Sequence, residues 1–173
     1  MRPMTRDEVR AAIVNTDPPG SRVRLPTWFD EIDWDRLEYL GWRDQRSPRR
    51  VYLVTEIDGA AVGVLLEQTP TRAELGSRAM MCDLCRSSRR FNEVALFTAR
   101  RPSKDRRQRL SGRGLHLCAD LDCNVNANRK PSVGRYDPAT DELIADRRAG
   151  LRARTAAFLV ATSETQQTVR RPR

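Results

Sequence analysis

Met81-Cys82-Asp83-Leu84-Cys85 and Cys118-Ala119-Asp120-Leu121-Asp122-Cys123 carry every cysteine of the 173-residue chain, as C-x2-C, 32 intervening residues, then C-x4-C. A C-x2-C pair can form a knuckle whose two thiolates point at one ion, and a second pair on a separate segment closes a tetrahedron. Three readings compete with such a site: two disulfides, unrelated buried thiols, and an iron–sulfur centre. Structural disulfides are rare in the reducing compartment expected of a chain whose first residues, Met1-Arg-Pro-Met-Thr-Arg6, lack the apolar stretch of a secretory signal. Two tight pairs are improbable for unrelated thiols. A structural Zn²⁺ held by Cys82, Cys85, Cys118 and Cys123 is therefore the favoured reading. Four thiolates fill the coordination sphere, so this metal contributes folding free energy and leaves no position for substrate.

The residues between the pairs predict how the two segments are joined. Glu93-Val-Ala-Leu-Phe-Thr-Ala99 reads as a strand, residues 100–113 as a basic loop and Gly114-Leu-His-Leu-Cys118 as the returning strand. Ala119 to Cys123 then turns into a helix, with Asp120 or Asp122 near its N-terminus. Knuckle, hairpin, second ligand pair at the hairpin exit and first helical turn is the anatomy of a treble clef.

Upstream, Val51–Ile57 and Ala60–Leu66 flank Asp58-Gly59, a type I′ hairpin signal. Thr5 followed by Glu8 is a capping-box pattern opening a helix over 5–16, ended by Asp17-Pro-Pro-Gly20. Trp28, Trp34 and Trp42 are core anchors or a recognition surface; in a chain with 6% aromatic residues the first is favoured. Downstream, a helix begins near Asp137-Pro138 and runs to about residue 161. Ile144, Leu151 and Phe158, flanked by Leu143 and Leu159, supply an apolar stripe to cover the sheet.

The expected fold is α+β: a single domain with a small antiparallel or mixed sheet, a treble-clef zinc finger of four cysteines and a C-terminal helix. It divides into an N-terminal helix and hairpin part over 5–80, the finger over 81–135, the helix over 136–161 and a flexible tail over 162–173. No window approaches the ~18 consecutive apolar residues of a membrane span, so a soluble, cytoplasmic protein is expected.

Charge is unevenly placed. Residues 82–135 hold 13 cations and 5 anions, whereas residues 1–81 hold 12 and 13. Thirty of the 32 cations are Arg, as a GC-rich genome would produce, but codon usage would not strip acids from one segment. Arg100 to Arg113 carries seven cations against one acid, Asp105. It is either a solvated loop or an electrostatic contact for acidic protein or ribosomal RNA phosphates, which guanidinium groups hold in pairs. With no aromatic between 98 and 113, it is not a base-stacking platform. The lone His116 leaves no second imidazole, and the metalloprotease, hydrolase-elbow and zinc-deaminase motifs are absent. No enzyme and no small-molecule substrate are read from the chain.

Met81-Cys-Asp-Leu-Cys85, Val94-Ala-Leu-Phe-Thr-Ala-Arg-Arg101 and Leu117-Cys-Ala-Asp-Leu-Asp-Cys-Asn124 resemble the C-terminal treble-clef domain of elongation factor G-binding proteins, the FusB type of fusidic acid resistance protein. Leu25-Pro, Leu40-Gly-Trp-Arg-Asp44 and Tyr52-Leu-Val54 are similar to it as well, and the likeness runs from about residue 5 to residue 160. It implies the four cysteines as zinc ligands, elongation factor G or the ribosome as partner, and relief of drug-stalled complexes by binding alone. FusB-type proteins carry a helical bundle before this domain, and about twenty residues precede Leu25 here. Two departures fall on the finger's expected contact surface: His116 stands where relatives carry tyrosine, and Asp83 where they carry an aromatic. The residues expected to meet the partner are Arg100, Arg101, Arg106, Arg107, Arg109, Arg113 and His116.

Overall fold

Asp58 and Gly59 take φ of 50° and 80°, the two positive values a type I′ turn demands, and from that turn the sheet grows. The structure is a computed structural model that describes residues 1–70, 78–100 and 112–163. The described α-helices are α1 (Arg6–Ala11), α2 (Cys123–Asn128) and α3 (Thr140–Ser163), with short 3-10 turns at Phe29–Glu31, Trp34–Arg36 and Phe91–Glu93. The strands are β1 (Leu40–Arg43), β2 (Arg50–Ile57), β3 (Ala60–Gln68), β4 (Ala79–Met81), β5 (Ser88–Arg90), β6 (Val94–Arg100) and β7 (Gly112–Cys118). Five strands form one sheet in the order β1-β2-β3-β6-β7, and β4 pairs with β5 in a separate ribbon. All named pairings are antiparallel.

Strand alternation divides the core between the two faces of the sheet. Val51, Leu53, Val64, Leu66, Phe97, Leu115 and Leu117 point to one face and pack with Leu151 and Leu159 of α3 and with the cysteines. Leu40, Trp42, Tyr52 and Val54 point to the other and pack with Met4, Val9 and Ile13. Of the three tryptophans, Trp42 is a core anchor stacked on Tyr52, whereas Trp28 is 43% exposed.

The capping box of α1 forms as its residues predict: the Glu8 N–H donates to Thr5 Oγ1 at 3.2 Å and the Thr5 N–H to the Glu8 carboxylate at 2.6 Å. The helix stops at Ala11, short of the expected residue 16, because the next residues bond to β3. Ile13 bridges Gly63, and the Asn15 side chain both donates to and accepts from the Leu65 backbone, at 2.8 and 2.7 Å. Gly63 makes the approach possible: a Cβ there would lie 2.8 Å from the Leu53 carbonyl oxygen and 2.9 Å from Ile13.

α3 starts at Thr140 and runs to Ser163, so Thr162, expected in the tail, is helical and buried; residues 164–173 lie outside the described residues. Its buried stripe also differs from the expected one. It is Leu151, Thr155, Leu159 and Thr162, while Ile144 and Phe158 are half-buried. Thr155 and Thr162 satisfy their hydroxyls on the carbonyls of Leu151 and Phe158, at 2.9 and 2.7 Å, and so enter the core. Counting apolar residues alone misses them. Among the described residues no helix is long and apolar enough to cross a membrane.

Candidate functional site

The first cysteine pair lies in the turn between β4 and β5. The Cys82 N–H donates to the Ser87 carbonyl at 3.1 Å and the Arg86 N–H to the Cys82 carbonyl at 3.0 Å, with Arg86 at φ 60°. The second pair brackets a tight turn. Cys118 ends β7, Leu121 adopts φ 65° and donates back to the Cys118 carbonyl at 3.0 Å, and Cys123 opens α2. The two segments meet with all four sulfurs within 4.8 Å of one another, Cys82 Sγ 3.6 Å from Cys123 Sγ and Cys85 Sγ 3.7 Å from Cys118 Sγ.

Those separations test the donor set. Sulfurs about 2.3 Å from a tetrahedral Zn²⁺ lie about 3.8 Å from each other, whereas disulfide sulfurs lie about 2.05 Å apart. All four thiols are free and spaced as tetrahedron corners, and the set fits Zn²⁺. The crowded thiols split without a metal charge: hydrogen bonds from Cys118 and Cys123 lower the Cys82 thiol to about 7 and hold that of Cys85 well below the ordinary range, while Cys118 is pushed up. Cys123 is pushed up by hydrogen bonding with Cys118, Cys82 and Cys85 and by burial, a penalty that a bound dication reverses.

A second layer of side chains holds the ligands. Asn126, buried and three residues after Cys123, donates its amide to Cys118 Sγ at 3.6 Å and to Cys85 Sγ at 3.8 Å. Arg89 donates to Asn126 Oδ1 at 3.2 Å and is itself anchored on Asp120 at 2.8 Å, which fixes the amide's orientation. The Tyr39 hydroxyl donates to the Leu121 carbonyl at 3.1 Å, and its pKa is held far up, first by burial and then by the Cys123 thiol. Arg154 of α3 donates to the Leu84 carbonyl of the knuckle at 2.6 Å, and Arg43 of β1 to the Ala119 carbonyl. Sequence reasoning misses all of these partners. Asn126 alone has a visible signal, since a residue three after a ligand that opens a helix returns to the same face.

The knuckle also docks on the outer edge of β7. The Asp83 N–H donates to the His116 carbonyl at 2.8 Å and the His116 N–H to the Asp83 carboxylate at 2.6 Å, with the His116 ring 3.8 Å from the same oxygen. Leu96, opposite His116 across the β6–β7 pair, is 38% exposed. Leu96, Thr98, Gly114 and His116 continue the sheet face that α1 covers over β3, here without a cover among the described residues. Beside them a cleft of about 300 Å³ is lined by Arg22, Arg50, Glu67, Thr98 and Arg100.

The expected contact residues are thus partly placed. Arg100 is exposed at the end of β6 and pairs with Glu67 at 3.3 Å; Arg113 and His116 are exposed on β7. Arg101, Arg106, Arg107 and Arg109 lie outside the described residues. Arg100 and Gly112 are partners across the pair, so the intervening basic segment leaves and re-enters the fold at one edge.

A family profile described as the FBP C-terminal treble-clef zinc-finger matches residues 8–161. No curated protein and no solved structure matches the chain.

Proposed function

This chain belongs to the FBP C-terminal treble-clef zinc-finger family, and from that membership we propose that it is a zinc-stabilised interaction module that binds elongation factor G on translating ribosomes in the cytoplasm. It acts by contact, displacing a stalled factor, including one trapped by fusidic acid, without chemistry on the drug. The observation that supports this reading is the β6–β7 face, which has no cover among the described residues. The knuckle clasps it through Asp83 and His116, it presents Leu96 and His116, and the Arg100–Arg113 segment enters and leaves at its edge. An exposed aliphatic residue on the strand pair that carries Arg100 and Arg113 suits an acidic protein surface.

The test is capture of purified elongation factor G by the zinc-loaded protein, before and after nuclease. Saturable binding that survives nuclease supports the proposal. A second reading, a ribosome- or rRNA-binding zinc protein with no part in resistance, is favoured by the seven cations of residues 100–113. Under it the protein binds ribosomes stripped of the factor, and nuclease or salt abolishes capture.

A further inference from the structure

Around the C-terminal end of α2 lies a second set of cations, of which the metal centre uses Arg89 alone and the β6–β7 face uses none. Two clefts meet at Arg129, the residue after α2. One, of about 620 Å³, separates α2 from the turn at 34–37 and is lined by Arg36, Leu37, Val125, Arg129 and Arg148. The other, of about 490 Å³, runs along β5 and is lined by Arg89, Arg90, Glu93 and Arg129. Five arginines thus line the two clefts with one carboxylate, Glu93. Arg89 is engaged by Asp120 and Glu93, but the exposed side chains of Arg90 and Arg129 make no salt bridge among the described residues, Asp122 acting on Arg129 only at longer range. Arg148 is pre-set: Nε donates to the buried Glu38 at 2.6 Å and Nη2 to the Asp35 carbonyl at 2.6 Å. Its remaining nitrogen has no partner among the described residues. Arg36 is steadied by Asp33 at 3.2 Å.

We infer that this ridge binds the phosphodiester backbone of structured RNA. Arg90 and Arg129 keep their whole guanidinium forks for paired phosphate oxygens, and Arg36 and Arg148, steadied by Asp33 and Glu38, hold further positive charge beside them. Adjacent clefts of one sign suit a chain of regularly spaced anions. Neither cleft has an aromatic lining residue on which a base could stack, so the contact is to backbone and helix shape. The apolar floor is only Leu37 and Val125, without the aromatic anchors that dominate protein interfaces. The ridge shares no residue with the face proposed for elongation factor G, so either assignment can fail alone.

The experiment is fluorescence anisotropy of the zinc-loaded full chain with a 20-base-pair RNA duplex, titrated with salt. R90A/R129A is expected to weaken binding about tenfold near 0.1 M salt and to flatten the log–log salt slope by about 1.5, because two phosphates are no longer neutralised. Zinc content and melting temperature stay at wild-type values, because both side chains are exposed. The same weakening is expected where Arg106, Arg107 and Arg109 are already Ala, which separates the ridge from the basic segment. Absence of saturable duplex binding by the wild type overturns the assignment, as does an R90A/R129A protein with wild-type affinity and slope. If R90A/R129A loses affinity for polyglutamate but not for RNA, the ridge is an acidic-protein contact and the RNA assignment fails.

Discussion

The wholly buried carboxylate of Glu38 is gripped by Arg148 of α3, Nε to Oε1 at 2.6 Å, and Arg152 takes the other oxygen at 2.7 Å. Glu38 stands just before Tyr39 and β1, and Asn124 in α2 donates to the Tyr39 carbonyl and accepts from the Glu38 N–H, at 2.8 and 2.7 Å. One buried anion therefore ties the C-terminal helix to the segment that carries the finger's own helix. The partners differ in exposure: Arg148 and Arg152 are 30% and 58% exposed, Glu38 is 0%. Removing both arginines strands a buried charge and is expected to cost about 3–5 kcal/mol, whereas E38A frees two cations that can reach water and costs less. Urea unfolding of R148A/R152A against E38A measures the order, and equal losses would contradict it.

Cys82→Ser or Cys118→Ser removes one corner of the tetrahedron and leaves three buried thiols without charge compensation. Each variant is expected to lose bound zinc and the folded C-terminal half, because binding free energy at a site of this type is folding free energy. Metal analysis with far-UV circular dichroism reads both. Full zinc content in either variant refutes the site as drawn.

Asn126→Ala keeps all four ligands and removes the amide that donates to Cys118 and Cys85. Zinc affinity is expected to fall 10- to 100-fold. Arg89→Ala, which frees Asn126 to turn, is expected to shift affinity in the same direction and by less, since the amide itself remains. Competition against a graded chelator measures both. Wild-type affinity in N126A would reduce those contacts to packing.

The four ligands are legible in the sequence because their spacing is set by local geometry: a knuckle within one turn, and a pair across one tight turn into a helix. The Asp58-Gly59 hairpin and the Thr5–Glu8 box are legible for the same reason, since each is decided by a few adjacent residues. What stays hidden depends on distant partners. Helix α1 ends early because Asn15 finds Leu65, 50 residues away, and Glu38 is buried because Arg148 lies 110 residues on. Thr155 and Thr162 read as polar and are core, because a hydroxyl bonded to its own helix no longer needs water. The strand β1 and the β4–β5 ribbon are only 4 and 3 residues per strand, too short for alternation to declare itself.

Gly63→Ala tests how tightly the N-terminal segment is seated. The added methyl would meet Val54 Cγ2 at 2.7 Å and the Leu53 carbonyl oxygen at 2.8 Å, and backbone cannot swing aside. A loss of about 1–3 kcal/mol is expected, without loss of zinc, because the strain falls on the α1 face and the metal lies on the other. Thermal melts with metal analysis check it. An unchanged melting temperature would mean that the Ile13–Gly63 contact is looser than drawn.

The basic segment and the β6–β7 face can be separated as contributors to partner binding. Replacing Arg106, Arg107 and Arg109 with Ala removes long-range attraction and should slow association with elongation factor G, an effect that shrinks as salt rises. Leu96→Glu puts a charge on the exposed aliphatic residue opposite His116 and should speed dissociation at any salt, with melting temperature near wild type because Leu96 already meets water. Surface plasmon resonance at two ionic strengths distinguishes the two signatures. If Leu96→Glu leaves dissociation unchanged while the arginine variant abolishes binding, contact lies wholly in the basic segment and the sheet face is not the docking surface.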